Sequence, residues 1–312
     1  MQVKILAGVQ SARGTAQISN MFRLTSTDYG LSPSVDKTTS EALGSGRWKR
    51  DGFVSKKSVE GDLPIEATRE QLELLFYGAG FDGVADSVDP DKWIITPSSA
   101  TKNYLTLGLD DEDNDMFEYS VDSLISSVQL SASIASYVTA TASVIGMEYK
   151  TSNTGYTGTE IVPTGEALKC LGASIKQSGT DMTGKIESID ITIDNKLEGK
   201  QALNTVYYKA IRQSENGDVT ISMTFNDFDK PTYLKDLSDI DSNASYEIIV
   251  EFEEVGNPGK KIVMTFPNCK PTKTERTDLG GAGGLTKEVT AYYDETAKTP
   301  VKIEMLDYAS IL

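Results

Sequence analysis

Apolar and polar residues alternate along most of this chain, and that period of two constrains its fold more than any other feature. KSVEGDLPIEA (57–67), NYLTLGLDDE (103–112) and SVQLSASIASYVTATASVIGMEY (127–149) follow it in the first half. KIESIDITID (185–194), DVTISMTFND (218–227), YEIIVEFEE (246–254), KKIVMTFPN (260–268) and KEVTAYY (287–293) follow it in the second. Successive side chains of a strand point to opposite faces, so each segment reads as a strand with one buried and one wet face. A mainly β chain is expected.

Helical spacing is confined to two places. Thr68 and Gln71 fit a capping box, Leu72, Leu75 and Phe76 make an apolar stripe, and Gly78 supplies a stop. KPTYLKDLSD (230–239) puts Pro231 at a first helical position, with Leu234 and Leu237 expected to face inward. Each helix follows the same kind of strand. Val59, Leu63 and Ile65 align with Val219, Met223 and Phe225, and Leu72 and Leu75 then align with Leu234 and Leu237. A long polar connection precedes each unit, at 27–50 and 195–218, and a hairpin with further strands follows. This order of elements predicts an internal duplication. The first unit spans 1–155 and the second 156–312, with a Gly/Thr-rich linker at 149–166. A chain of 312 residues also suits two units.

Charge excludes several roles. Lys and Arg number 30 against 46 Asp and Glu, a formal net charge of −16, and there is no histidine. Such a chain does not grip DNA or an anionic membrane through counterion release. Without the commonest general base and metal ligand, a hydrolase would be left with carboxylates alone, and these are too dispersed to single out a pair. No run of 18 apolar residues marks a membrane span, and the opening MQVKILAGVQSARGTAQ is too weak for a secretory signal. Two cysteines, Cys170 and Cys269, do not make a disulfide framework.

Three segments could carry chemistry. Asp111, Asp113 and Asp115 have the alternate spacing of a calcium loop, but Met116 stands where its glycine belongs and Asp122 where its bidentate Glu belongs. A solvated hairpin turn is the preferred reading over weak divalent-ion binding. DLGGAGGLTKE (278–288) has the glycines of a phosphate loop, but a strand pattern follows where a helix is required. RWKRDGF (47–53) is a compact basic–aromatic cluster in an acidic chain. It reads as a loop meeting an acidic protein surface, with charge-assisted hydrogen bonds from Arg47 and Arg50 and Trp48 as buried anchor. A connection as long as 27–50 without structure of its own is usually functional or disordered.

GVQSARGTAQ (8–17), STDYGLSPSVD (26–36) and GSGRWKRDGFVSKKSVEGDLPIEATREQLELLFYGAGF (44–81) resemble the tail tube, or major tail, proteins of long-tailed bacteriophages. LGASIKQSGTDMTGKIESIDITIDNKLEG (171–199) and DVTISMTFNDFDKPTYLKDL (218–237) extend the resemblance, which is to the form with a duplicated tube domain. It covers most of the chain and brings no catalytic signature. It implies two tandem β-sandwich or barrel domains, each with a short flanking helix. Three chains would form a homotrimeric, pseudo-hexameric ring, and stacked rings would form a hollow conduit for the genome. No enzyme activity, catalytic residue, cofactor, metal or membrane is implied. The implied partners are further copies of the chain, a tape measure protein, and tail terminator and baseplate proteins. The implied location is a virion tail assembled in the host cytoplasm.

In this family the connection before the strand–helix unit reaches a neighbouring ring, which would give Arg47, Trp48 and Arg50 an inter-ring role. Neighbouring subunits would extend the sheet edge to edge. A ring of three, each at −16, carries −48, and a lumen of that sign lets DNA pass without specific binding. The alternative is another ring component of a tail or injection apparatus: a baseplate hub, a tail terminator or a secreted-tube homologue. A carbohydrate-binding β-protein would want a signal peptide and clustered exposed aromatics, and neither is read.

Overall fold

In the computed structural model, which describes residues 3–39, 52–98, 103–277 and 283–312, the alternating segments pair into an extended, largely antiparallel sheet system. The first half contributes β1 (Val3–Val9), β2 (Asn20–Leu24), β3 (Ser32–Thr39), β4 (Gly52–Glu66) and helix α1 (Arg69–Gly78). A hairpin of β5 (Phe81–Ala85) and β6 (Lys92–Pro97) follows. Then come β7 (Leu105–Asp111), β8 (Met116–Ser133), β9 (Thr139–Gly146), β10 (Glu148–Ser152) and β11 (Thr159–Ile161). The second half opens with β12 (Leu168–Gln177), β13 (Thr180–Asp181) and β14 (Ile186–Asp194). After the small hairpin β15 (Leu197–Lys200) and β16 (Ala210–Gln213) come β17 (Asp218–Phe225) and helix α2 (Lys230–Ser242). The chain finishes with β18 (Tyr246–Glu254), β19 (Asn257–Thr277), β20 (Gly284–Ala291) and β21 (Lys302–Leu306).

The two halves pair in the same order. β1 pairs with β7, β7 with β8, β8 with β9, β9 with β4, and β4 with β3. Correspondingly, β12 pairs with β18, β18 with β19, β19 with β20, β20 with β17, and β17 with β14. Irregularities of register recur as well. The slip between Leu105–Ser123 and Leu107–Ser120 has its counterpart between Tyr246–Cys269 and Ile248–Phe266. A second slip falls between Ile125 and Ser127 in β8, and between Pro271 and Lys273 in β19. Bulges bend a strand and re-aim its side chains, so matching bulges give β8 and β19 matching paths.

The halves are joined where β8 uses its second edge: Ser127 to Ser133 pair with Asp194 to Ser188 of β14. β6 and β21 make a second join. One hydrophobic core runs beneath both halves, with Leu63 and Ile65 of β4, Val128 and Leu130 of β8, Ile189, Ile191 and Ile193 of β14, and Ile221 and Met223 of β17. Each such side chain contributes about 1.5–3 kcal/mol on full burial. The segment 149–166 carries most of β10 and all of β11, and β11 pairs in parallel with β2.

Helix α1 starts as its sequence directs, with the Thr68 hydroxyl accepting from the Gln71 amide at 3.2 Å. Leu72, Leu75 and Phe76 are buried. Its end differs from expectation. Gly78 is the last helical residue, and a Cβ there would lie 2.6 Å from Leu105 Cδ1 and 2.9 Å from Ile125 Cδ1. Close packing therefore explains that glycine, while the left-handed turn falls on Gly80 at φ 82°.

Helix α2 corrects a second expectation. Leu234 and Leu237 do not face a core; they are 51% and 37% exposed. The inward residue is Asp236. Counted from the N-caps Thr68 and Asp229, Leu75 corresponds to Asp236 and Phe76 to Leu237. Pairing Leu72 and Leu75 with Leu234 and Leu237 puts two extra residues between strand and helix in the second half, whereas the N-caps Thr68 and Asp229 leave room for one. One residue turns a helix by about 100°, and that difference leaves the leucines on the outward side.

The described part of the connection at 27–50 includes a strand that was not expected. β3 occupies Ser32–Thr39 and pairs with β4 from Gly52 to Glu60. All eight of its residues are exposed, so no burial contrast marks it in the sequence. Arg47, Trp48 and Arg50 lie outside the described residues.

Candidate functional site

β3, β4, β9, β8, β14, β17, β20 and β19 form one continuous antiparallel sheet, each strand paired with the next. Alternation gives this sheet an apolar side over the core and a polar side away from it. Polar rows cross from half to half. Glu66, Thr139, Ser131, Asp190, Ser222, Glu288 and Lys273 stand opposite one another in succession. A neighbouring row runs Asp62, Ser143, Ser127, Asp194 and Asp218. The row between them is Pro64, Thr141, Gln129, Thr192, Thr220, Thr290 and Lys270.

Short hydroxyls and carboxylates therefore make up most of this face. Ser143 Oγ donates to Asp62 Oδ1 at 2.7 Å, and Ser131 Oγ donates to Asp190 Oδ1 at 2.5 Å across the junction of the halves. Lys196 pairs with Asp194 at 2.5 Å and Lys273 with Glu275 at 3.0 Å. The Asp194 hydrogen bond raises the pKa of Lys196 above the ordinary lysine value. Among the described residues no Lys or Arg ion pair reaches Asp62, Glu66, Asp190 or Asp218. The described part of this face is rich in carboxylates and short hydroxyls.

The β15–β16 hairpin lies over part of this surface in the first half. Tyr208 and Ile211 pack with Leu124 and Met147, and Ile145 and Leu197 lie alongside. Tyr208 Oη donates to Glu60 Oε1 at 2.5 Å, and Lys56 Nζ lies 5.1 Å from the Tyr208 ring. Burial pushes the Tyr208 hydroxyl pKa up.

Buried charges tie the helices down, and sequence reasoning did not find them. Arg69 pairs with Glu254 at 2.7 Å and donates to the Leu306 carbonyl at 2.7 Å and the Asp307 carbonyl at 3.0 Å. Glu73 accepts from Tyr308 Oη at 2.7 Å, Ser310 Oγ at 2.5 Å and the Ile311 amide at 3.0 Å. The C-terminal segment is thereby held on α1. Under α2, Lys287 Nζ stands 2.5 Å from Asp236 Oδ1 and 3.2 Å from Gln177 Oε1. Burial lowers the Lys287 pKa and raises that of Asp236, while the pair's mutual attraction opposes both shifts. One signal for Lys287 was legible: it occupies an inward position of alternation between Leu285 and Val289.

The other chemical candidates have structural places. The β7–β8 turn uses its carboxylates as acceptors: Asp111 takes the Asn114 amide at 3.2 Å and its side chain at 2.7 Å, and Asp115 takes the Gly155 amide at 2.9 Å. Among the described residues no group of three or more His, Cys, Asp or Glu is placed to hold a metal. The strand expected after the glycine-rich 278–282 is β20. Cys170 and Cys269 are free. No helix among the described residues is long and apolar enough to cross a membrane.

The class defined here is an extended antiparallel β-protein whose sheet has an apolar side and an acidic Ser/Thr side, and whose outer strands, β3 and the end of β19, have no further strand partner among the described residues. Residues 2–290 match the family model for phage tail tube proteins, and the chain belongs to that family. It is a structural protein of a bacteriophage tail tube, built to assemble with itself and to associate with other tail components. No curated protein matched the chain.

Proposed function

We propose that the chain is a duplicated tube protein, with 1–155 and 156–312 as its two units, and that three copies close a pseudo-sixfold ring. Rings stack into a tube whose lumen is the polar sheet face and through which the genome passes. The observation that carries this reading is the eight-stranded sheet, whose two halves repeat one pairing order and one pattern of bulges. Three such sheets, with strands about 4.8 Å apart, make a closed barrel roughly 37 Å across at the backbone before strand tilt widens it. Closure also removes exposed edges that would otherwise template aggregation.

The lumen's acidity follows from the rows described above. Carboxylates face the DNA, the phosphates are repelled from the wall, and passage leaves no bound state. The segment that joins β3 to β4 and carries Arg47, Trp48 and Arg50 contacts the next ring, with the arginines on carboxylates and Trp48 as anchor. A tape measure protein inside the growing tube, with terminator and baseplate proteins at its ends, completes the partners of a tail assembled in the host cytoplasm. Negative-stain microscopy of the purified protein tests the reading. Rings or hollow tubes are expected, and a strictly monomeric, non-polymerising protein at high concentration overturns it.

A further inference from the structure

We propose that a second copy of this chain docks along one defined edge pair: Gly30 to Val35 of one copy lies antiparallel to Thr272 to Thr277 of the next. Ser32 stands opposite Glu275, and Ser34 opposite Lys273. The inference rests on the ring reading above and adds to it which strands meet and in which register.

The argument comes from the join inside the chain. Beyond its second bulge, β8 pairs with β9 on one edge and β14 on the other. Beyond the matching bulge, β19 pairs with β20 on one edge, and among the described residues its other edge has no strand. The mapping that carries Ile125 to Pro271 carries Gln129 to Glu275. On the other side of the join, Thr192 stands opposite Gln129 and also opposite Thr220. Thr220 lies opposite Thr290, as Glu60 lies opposite Ile145, and those partners lie opposite Lys270 and Leu124. Glu60 therefore corresponds to Thr220, and Ser32, opposite Glu60, corresponds to Thr192. Ser32 is the residue that a neighbouring Glu275 meets.

Both edges are chemically ready. Every residue of β3 is exposed, as are Thr272, Lys273, Glu275 and Arg276 of β19. An unpaired strand edge of this length is a template for another strand. The sidedness is right too: Ser32 and Ser34 share their face with Lys273 and Glu275, continuing the polar rows.

A separate observation concerns the helices. Within the chain, the second half comes over α1, where Glu73 holds Tyr308 and Ser310. Counted from the N-caps, Leu234 takes the place of Glu73, and it is 51% exposed. A copy seated on β19 covers α2 as the second half covers α1, which supplies the burial that Leu234 and Leu237 lack. The contact is head-to-tail, so it does not end at a pair: a rotation that closes after three copies gives a ring, and one that does not gives an open filament.

The test is cross-linking by register. Opposed residues of an antiparallel pair have Cα atoms about 4.5–5.5 Å apart, within disulfide range. Ser32→Cys with Glu275→Cys, oxidised after assembly, is expected to give covalent species that end at three chains on a non-reducing gel. Ser34→Cys with Lys273→Cys is a second pair should the first fail to fold. Gln129→Cys with Thr192→Cys closes within one chain and verifies the oxidation. The wild type, each single cysteine, and the off-register Pro33→Cys with Glu275→Cys should stay uncross-linked. Rings under the microscope without cross-linking by either register pair, while the in-chain control closes, would overturn the docking edge and leave the ring reading standing. Cross-linking into open, unlimited chains would keep the edge and reject threefold closure. Absence of rings and of both cross-links would reject both.

Discussion

Asp236→Ala isolates a lysine ammonium in the core. Lys287 and Asp236 are 0% and 1% exposed, with Nζ and Oδ1 2.5 Å apart. Removing one partner of a buried pair costs about 3–5 kcal/mol, because the other charge stays desolvated and uncompensated. Gln177 Oε1 at 3.2 Å and the Tyr246 ring at 4.8 Å remain beside the ammonium, which places the expected loss at about 3 kcal/mol. The first half carries the apolar version of this arrangement. Leu75 corresponds to Asp236, and Ala142, opposite Leu63, corresponds to Lys287, opposite Met223. Asp236→Leu with Lys287→Ala should therefore fall within about 1 kcal/mol of wild type, since apolar replacement of a buried pair is often neutral or stabilising.

The pH dependence has a definite sign. Burial already holds Lys287 below the ordinary 10.5, and losing Asp236 removes the attraction that opposes that shift. The unfolded lysine then binds more protons than the folded one, so this group's contribution to stability rises with pH until the unfolded lysine also deprotonates. Urea unfolding of the unassembled variant, compared with wild type at each pH, should show a larger loss near pH 7 than near pH 10. A loss below about 1 kcal/mol with an unchanged m value, or a double variant as unstable as the single one, would refute the reasoning.

Gly78→Ala gains helix propensity of about 1 kcal/mol but drives a methyl into Leu105 and Ile125, so a net lower melting temperature is expected by calorimetry. Asp62→Lys, Asp190→Lys and Asp218→Lys together should turn assembled tubes from DNA-indifferent to DNA-binding in a gel shift, with retention falling steeply as salt rises. Arg47→Ala with Trp48→Ala should leave the unfolding curve of the unassembled protein near wild type while tubes fail to elongate; normal elongation by light scattering would place ring stacking elsewhere.

What the sequence made legible follows from contrast between the two faces of an element. Strands β4, β9, β14, β17, β18 and β20 alternate because one side meets the core, and α1 was readable from Thr68 and its leucines for the same reason. β3 was missed because both its faces are wet, leaving Ser, Pro, Val and Asp without a pattern. α2 was found, but its phase was not, since pairing its leucines with those of α1 assumed one residue more between Phe225 and the helix than the Asp229 cap allows. Arg69 with Glu254, Glu73 with Tyr308 and Lys287 with Asp236 are partners far apart in the chain, and no local spacing announces them. The polar rows were present as outward Ser, Thr and Asp residues, yet only strand order reveals that they line up across both halves.

The account's central claim is that each chain supplies two equivalent units to a closed ring. Native mass spectrometry of single rings, released from tubes at low concentration and imaged in parallel by electron microscopy, measures it most directly. The predicted ring has three times the mass of the 33.8 kDa chain, with six similar lobes around its axis. A ring with the mass of six chains, or three lobes with no internal repeat, would contradict the claim.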